Sequence, residues 1–137
     1  IGVYMKLSTR GRYGLRAICY IAENQSRGYV PVSEISENLS LSENYLEQLV
    51  RLLKKDGLIK STRGPKGGYK VNKDLASISI GEILRSLEGD MTTSECVSGK
   101  VNCEDKCDTY DLFTKLDYLI NSAMDSISLE NIVKHEI

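Results

Sequence analysis

Ser42-Glu43-Asn44-Tyr45-Leu46-Glu47-Gln48-Leu49-Val50-Arg51-Leu52-Leu53-Lys54-Lys55-Asp56-Gly57 is followed by Leu58-Ile59-Lys60-Ser61-Thr62, Arg63-Gly64-Pro65-Lys66-Gly67-Gly68 and Tyr69-Lys70-Val71. Ser42 is a helix N-cap. Tyr45, Leu46, Leu49, Leu52 and Leu53 recur at helical spacing, and Gly57 stops the helix. Two short β-prone runs then flank a turn rich in Gly and Pro, which predicts a hairpin with a basic tip.

Upstream, Pro31 opens a short helix through Leu39, with Val32, Ile35 and Leu39 inward and Ser33 available as a cap. A brief turn, Asn38 to Leu41, separates it from the Ser42 helix, so the pair reads as a helix-turn-helix. Before it, Ser8-Thr9 caps a helix through Asn24, with Leu15, Ile18, Cys19 and Ala22 on one face, and Gly28 ends that segment. Helix, turn, helix and basic hairpin is the order of a winged helix. The fold class expected is mainly α with a small β-hairpin: a winged helix-turn-helix domain over 5–75. Residues 76–137 are expected to hold a cysteine-containing loop and a long C-terminal dimerisation helix.

In that second part, Ser79 to Leu87 predicts a short helix ending near Gly89, and residues 90–108 predict a polar loop. From Thr109 to Ser128 a long helix carries Leu112, Phe113, Leu116, Leu119, Ile120, Ala123, Met124 and Ile127 as a wide apolar face. So small a domain has little to cover that face, which points to a second copy of the chain. The bland alternative is packing back onto its own domain. Leu129 to Lys134 adds one further turn, and His135 lies in an exposed tail.

With 41% hydrophobic and 27% charged residues, the chain can bury a core. The net charge of −1 conceals a segregation. Residues 1–75 carry 13 Lys/Arg against 7 Asp/Glu, a formal +6, and residues 76–137 carry 5 against 12, a formal −7. A basic first half suits phosphate binding. Ile1–Tyr4 stand ahead of Met5-Lys6-Leu7-Ser8, which reads as a natural start. The beginning lacks a secretory signal, and no apolar run reaches the roughly 20 residues of a membrane span. A cytoplasmic protein without membrane contact is expected. The single histidine and the lack of a nucleophile–base pair or phosphate-cradling loop argue against an enzyme.

Outward positions of the Ser42 helix are Ser42, Glu43, Asn44, Glu47, Gln48 and Arg51. Gln and Asn can pair with adenine, Arg with guanine, and Glu can accept from cytosine. The bland reading of Glu47 is an i,i+4 ion pair with Arg51. Arg63 and Lys66 at the wing tip suit a minor groove or flanking phosphates. Lys6, Arg10, Arg12 and Arg16 make the first helix start basic, and its amides could meet a phosphate. Thr9, Tyr13, Tyr45 and Gly67 complete the expected DNA-contacting set, on double-stranded DNA bearing a pseudo-palindromic operator.

Cys96, Cys103 and Cys107 follow a Cys-x6-Cys-x3-Cys pattern. Without a secretion signal this points to metal or redox chemistry rather than a disulfide framework. Three soft thiolates suit iron–sulfur or zinc equally on spacing alone, with free thiols as the bland alternative. Cys19, on the apolar face of the first helix, reads as a core residue.

Met5-Lys6-Leu7-Ser8-Thr9-Arg10-Gly11-Arg12-Tyr13, Tyr45-Leu46-Glu47-Gln48-Leu49 and Arg63-Gly64-Pro65-Lys66-Gly67-Gly68-Tyr69 resemble the Rrf-type family of bacterial winged-helix transcriptional regulators. The resemblance runs over nearly the whole chain from Met5, including Ile80-Gly81-Glu82-Ile83 and the acidic cysteine loop. It is strongest to the members that regulate iron–sulfur cluster assembly. It implies a homodimeric repressor with a [2Fe–2S] cluster on Cys96, Cys103 and Cys107, and a role for Glu47 in discriminating operator classes. Cluster-holding members place a histidine ligand three positions after the third cysteine, where this chain has Tyr110, and space their last two cysteines further apart. The fourth ligand then comes from elsewhere, with Glu104, Asp105, Asp108 and Asp111 nearby, or a site on iron stays open. Alternatives are a regulator of cysteine metabolism controlled by a protein partner, a zinc or disulfide switch and, from another class, an electron or cluster carrier.

Overall fold

The computed structural model describes residues 7–89 and 108–137. Helix α1 (Thr9–Asn24) starts at Ser8, whose hydroxyl accepts from the Gly11 amide at 3.4 Å. After a 3-10 turn (Gln25–Arg27) comes α2 (Val32–Leu39). Its N-cap is Pro31, with no side-chain capping bond, and Ser33 is exposed on its first turn. The capping role expected of Ser33 is therefore not filled: Pro31, two positions earlier, takes the N-cap position and fixes the entry angle. Ser40 ends α2 in the left-handed region (φ 54°), and the Ser36 hydroxyl closes the turn by donating to the Leu41 carbonyl at 2.5 Å.

Helix α3 (Glu43–Lys55) begins at Ser42, which accepts from the Tyr45 amide at 3.1 Å. Leu46, Leu49, Val50 and Leu53 form its buried stripe. Gly57 turns the chain at φ +75°, a conformation costly for side chains with a Cβ, into β1 (Ile59–Thr62). Strand β1 pairs antiparallel with β2 (Gly68–Val71), with Ile59 opposite Val71 and Ser61 opposite Tyr69. Val30 adds a bridge to the free edge of β2: its amide donates to the Tyr69 carbonyl, and the Tyr69 amide donates back, both at 2.9 Å. Gly68 is required there, because a Cβ would collide with the Val30 carbonyl.

Helix α4 (Ile80–Glu88) opens with a capping box between Ser79 and Glu82. Helix α5 (Tyr110–Ser126) and the short α6 (Leu129–Val133) complete the described chain. The extended segment between them returns to the entrance of α4: Ile80 donates to the Ile127 carbonyl and Leu129 to that of Ile78, each at 2.8 Å. One apolar core therefore joins α1, α2, α3 and the strands to Ile78, Ile83, Leu87 and the fully buried Leu129. The mainly helical class with a two-stranded wing is the one expected from the sequence.

The long helix divides its apolar face. Met124, and Ile127 just past the helix end, pack against the core, whereas Leu112 and Leu119 are 54% and 49% exposed. Its buried residue is a carboxylate, Asp117, which the apolar pattern did not foreshadow. Helix α5 is pinned to α4 by Arg85, which donates to Asn121 at 3.1 Å and to Asp125 at 2.8 Å. Gly81 leaves the space that Asp125 occupies. Among the described residues no helix is long and apolar enough to cross a membrane.

Candidate nucleic-acid interface

With one stripe of α3 sealed in the core, helical geometry turns the opposite stripe outward. Ser42, Glu43, Asn44, Glu47, Gln48 and Arg51 are all exposed. Tyr45 is half-buried and packs against the core, so only part of its side chain is presented. The helix is fixed at both ends, by Ser42 at the start and by Lys54, whose ammonium donates to the Ser61 hydroxyl of β1 at 2.6 Å.

The preceding helix is held by a polar network. The Tyr20 hydroxyl donates to Glu34 at 2.9 Å and accepts from Asn38 at 2.9 Å, while Arg27 pairs with Glu34 at 2.7 Å. The Arg27 and Tyr20 hydrogen bonds, in that order, hold the Glu34 carboxyl below its ordinary pKa. Helices α1 and α2 are thereby tied together outside the core, fixing the first helix of the motif beneath α3.

At the wing tip Arg63, Gly64, Pro65 and Lys66 are exposed, and the Gly67 amide closes the turn onto the Gly64 carbonyl at 2.9 Å. A Cβ on Gly67 would lie 2.5 Å from the Thr62 carbonyl oxygen, so its role is to let the two strands approach. A cleft of about 470 Å³ separates the wing from the start of α2, lined by Pro31, Ser33, Thr62, Arg63 and Tyr69 among others. Tyr69 sits on the wing face turned toward α3. Burial raises its pKa first, the Glu47 charge raises it further, and the Arg51 charge lowers it. Wing and α3 thus share one electrostatic neighbourhood through a tyrosine whose part in this contact the sequence did not indicate. The available signal was its place in register opposite Ser61, on the same face as the buried Ile59–Val71 pair.

At the start of α1, Thr9, Arg10 and Arg12 are exposed, whereas Tyr13 is half-buried with the Arg16 guanidinium 5.5 Å from its ring centre. The Gly11 amide there does not lie open to a phosphate. The Glu88 carboxylate, from the end of α4, accepts from the Gly11 amide at 2.8 Å and from the Ser8 hydroxyl. This removes the Gly11 amide from the anion site expected at that helix start. The positive end of the α1 dipole is already met by an internal carboxylate, admitted because Gly11 has no Cβ to block it.

Lys6, Cys96, Cys103 and Cys107 lie outside the described residues. Tyr110, half-buried, begins α5, and Asp108 and Asp111 beside it are exposed. Among the described residues no three His, Cys, Asp or Glu side chains come together to hold a metal. Cys19 lies at the edge of the core, on an apolar groove of about 350 Å³ shared with Leu15, Leu39 and Ile132. Burial, and then the Glu23 charge, push its thiol pKa up to about 11.

Residues 7–135 match the family model described as Rrf2, Iron-dependent Transcriptional regulator. The chain is 37% identical over 134 residues to the HTH-type transcriptional regulator IscR of Klebsiella pneumoniae, covering 96% of this chain and 82% of that protein. It superimposes on the structure of CymR, the global cysteine regulator of B. subtilis, with a TM-score of 0.83 and 34% identity, covering 95% of this chain and 97% of that one. Against T. potens IscR the TM-score is 0.79 at 36% identity, covering 96% and 88% respectively.

Proposed function

This chain belongs to the Rrf2 family of transcriptional regulators, and on that premise we propose that it works as a homodimer on a pseudo-palindromic operator under the control of an iron–sulfur cluster. It is an IscR-like member and not an enzyme. The observation that carries the DNA-binding proposal is the exposed stripe Asn44, Glu47, Gln48 and Arg51 on a helix whose other stripe is sealed, flanked by the basic wing. Side chains of a rigid helix reach base edges in the major groove, while Arg63 and Lys66 reach the neighbouring backbone or minor groove. Lys6, Thr9 and Arg10 would add backbone contacts from the start of α1, and the exposed parts of Tyr13 and Tyr45 would border them. Ser42 and Gly67 serve by shaping the helix start and the wing turn.

Leu112, Leu119 and Ala123 follow one another at i+7 and i+4 on the exposed side of α5, which supports pairing with the same helix of a second copy. Each leucine is already about half covered, so burying the remainder stabilises the pair by roughly 1 kcal/mol apiece. Two copies related by a twofold axis would present two α3 helices to two half-sites.

Cys96, Cys103 and Cys107 supply three soft thiolates, a donor set that fits a [2Fe–2S] centre. Such a centre would contribute a ligand set sensitive to iron supply, oxygen and nitric oxide. The residues flanking the third thiol, Asp108, Tyr110 and Asp111, offer only oxygen donors, which supports a labile fourth position. Its genes would be those of iron–sulfur cluster assembly. The alternative, a regulator of cysteine metabolism, draws on the close fold match to the B. subtilis cysteine regulator.

Two measurements test these proposals. Gln48→Ala is expected to weaken operator binding by about 1–3 kcal/mol while sparing non-specific binding at the same salt. Equal loss on both removes base readout by this residue. Anaerobically purified protein is expected to show the visible absorption of a cluster, absent from the triple Cys→Ser variant, and to change operator affinity when stripped. A colourless preparation whose operator affinity ignores iron points to the cysteine-metabolism or zinc alternatives.

A further inference from the structure

The wing has two faces, and α3 engages one of them. Ile59 and Val71 face the core, and Ser61 and Tyr69, two positions along, face α3. The alternate residues therefore face outward, and there Lys60 stands directly opposite Lys70. Like charges at paired positions of an antiparallel ladder are destabilising, and among the described residues no ion pair includes either lysine. The bridge between Val30 and Tyr69 adds a third segment to this face, bringing Tyr29 beside Lys70, with the ammonium 5.0 Å from the ring centre. Lys60, Lys70 and Tyr29 thus form a row across the two strands and the bridged segment. At the tip end, Lys66 and Tyr29 line a common cleft of about 400 Å³. The Glu34 carboxylate on that cleft is already engaged by Arg27 and Tyr20.

We propose that this outer wing face is a second phosphate-binding row, on which Lys60 and Lys70 take the DNA backbone flanking each half-site, outside the stretch that α3 reads. Charge complementarity selects the partner: a paired cationic row without carboxylate partners is stabilised by a regularly spaced polyanion. The Tyr29 ring holds the Lys70 ammonium over the strand. The inference rests on the chain binding DNA through α3, as proposed.

The test uses full-length protein, wild type and the Lys60→Gln/Lys70→Gln double variant, on two duplexes. One contains the operator alone, and the other adds about one helical turn, roughly 10 base pairs, on each side. Wild type is expected to gain affinity on the longer duplex, and the variant to gain little. On the longer duplex the variant's salt dependence should be shallower by about 3–4 in slope, four lysines being lost per dimer. A Lys60→Arg/Lys70→Arg variant should recover the gain. Equal gain and equal slope in wild type and glutamine variant overturn the proposal. So does unchanged DNA binding with loss of low-salt self-association, which would put the acidic half of another copy on this face. If wild type binds neither duplex, DNA binding itself fails and this inference with it.

Discussion

Glu88→Ala should destabilise the fold through the start of α1, 77 positions away in the chain. The carboxylate accepts from the Gly11 amide at 2.8 Å, from the Ser8 hydroxyl and, more weakly, from the Ser8 amide at 3.5 Å. A hydrogen bond to a charged group contributes about 1.5–3 kcal/mol, and a carboxylate at a helix N-terminus about 0.3–1 kcal/mol. The contributions overlap, because the Gly11 amide keeps the Ser8 hydroxyl at 3.4 Å when Glu88 is gone, and Glu88 is only half-buried. A net loss of about 1–2 kcal/mol follows, with Glu88→Gln losing roughly half as much. Urea unfolding followed by circular dichroism measures it, at unchanged m-value. A cycle with Ser8→Ala should return a coupling of at least about 0.5 kcal/mol, because the two side chains share the same amide. If both Glu88 variants unfolded within about 0.3 kcal/mol of wild type, or the cycle were additive, the carboxylate would not be capping α1.

Gly14→Ala places a Cβ 2.5 Å from the buried Leu87 side chain, and such overpacking costs roughly 1–3 kcal/mol in the same unfolding assay. The depressed Glu34 pKa fixes a sign: the unfolded chain binds the proton more readily, so the network's contribution is present above the ordinary value of 4.5 and fades as pH falls through the folded value. Wild type should therefore lose stability more steeply than Glu34→Gln on acidification, and parallel curves would count against the network. Cys19, with its thiol moved from 9.0 to about 11, should alkylate at pH 8 about 100-fold more slowly than an unfolded control, as read by peptide mapping.

The helix-turn-helix and wing were legible because their signals are local. Ser42, the leucine stripe and Gly57 bound α3 within one stretch, and Arg63 to Tyr69 spells a turn whose glycines answer to a positive φ at Gly64 and close approaches at Gly67 and Gly68. What the sequence hid is mostly non-local. Nothing near Ser8 announces that its helix will be capped from Glu88. Tyr29 joins the lysine row only because Val30 bridges β2. The apolar stripe of α5 did not say where it changes from packing on α4 and the core to facing outward, since that depends on how the 127–129 segment returns to α4. Ser33 looked like a cap by residue type, and Pro31 took its place by backbone geometry.

Selection of bound duplexes from a random-sequence pool, at fixed salt and with the intact protein, tests the central claim most directly. The account predicts enrichment of a pseudo-palindrome whose half-sites lie one helical turn, about 10–10.5 base pairs, or a multiple of it apart, weakened by Gln48→Ala. Retention of all sequences alike, falling only with salt, would contradict it.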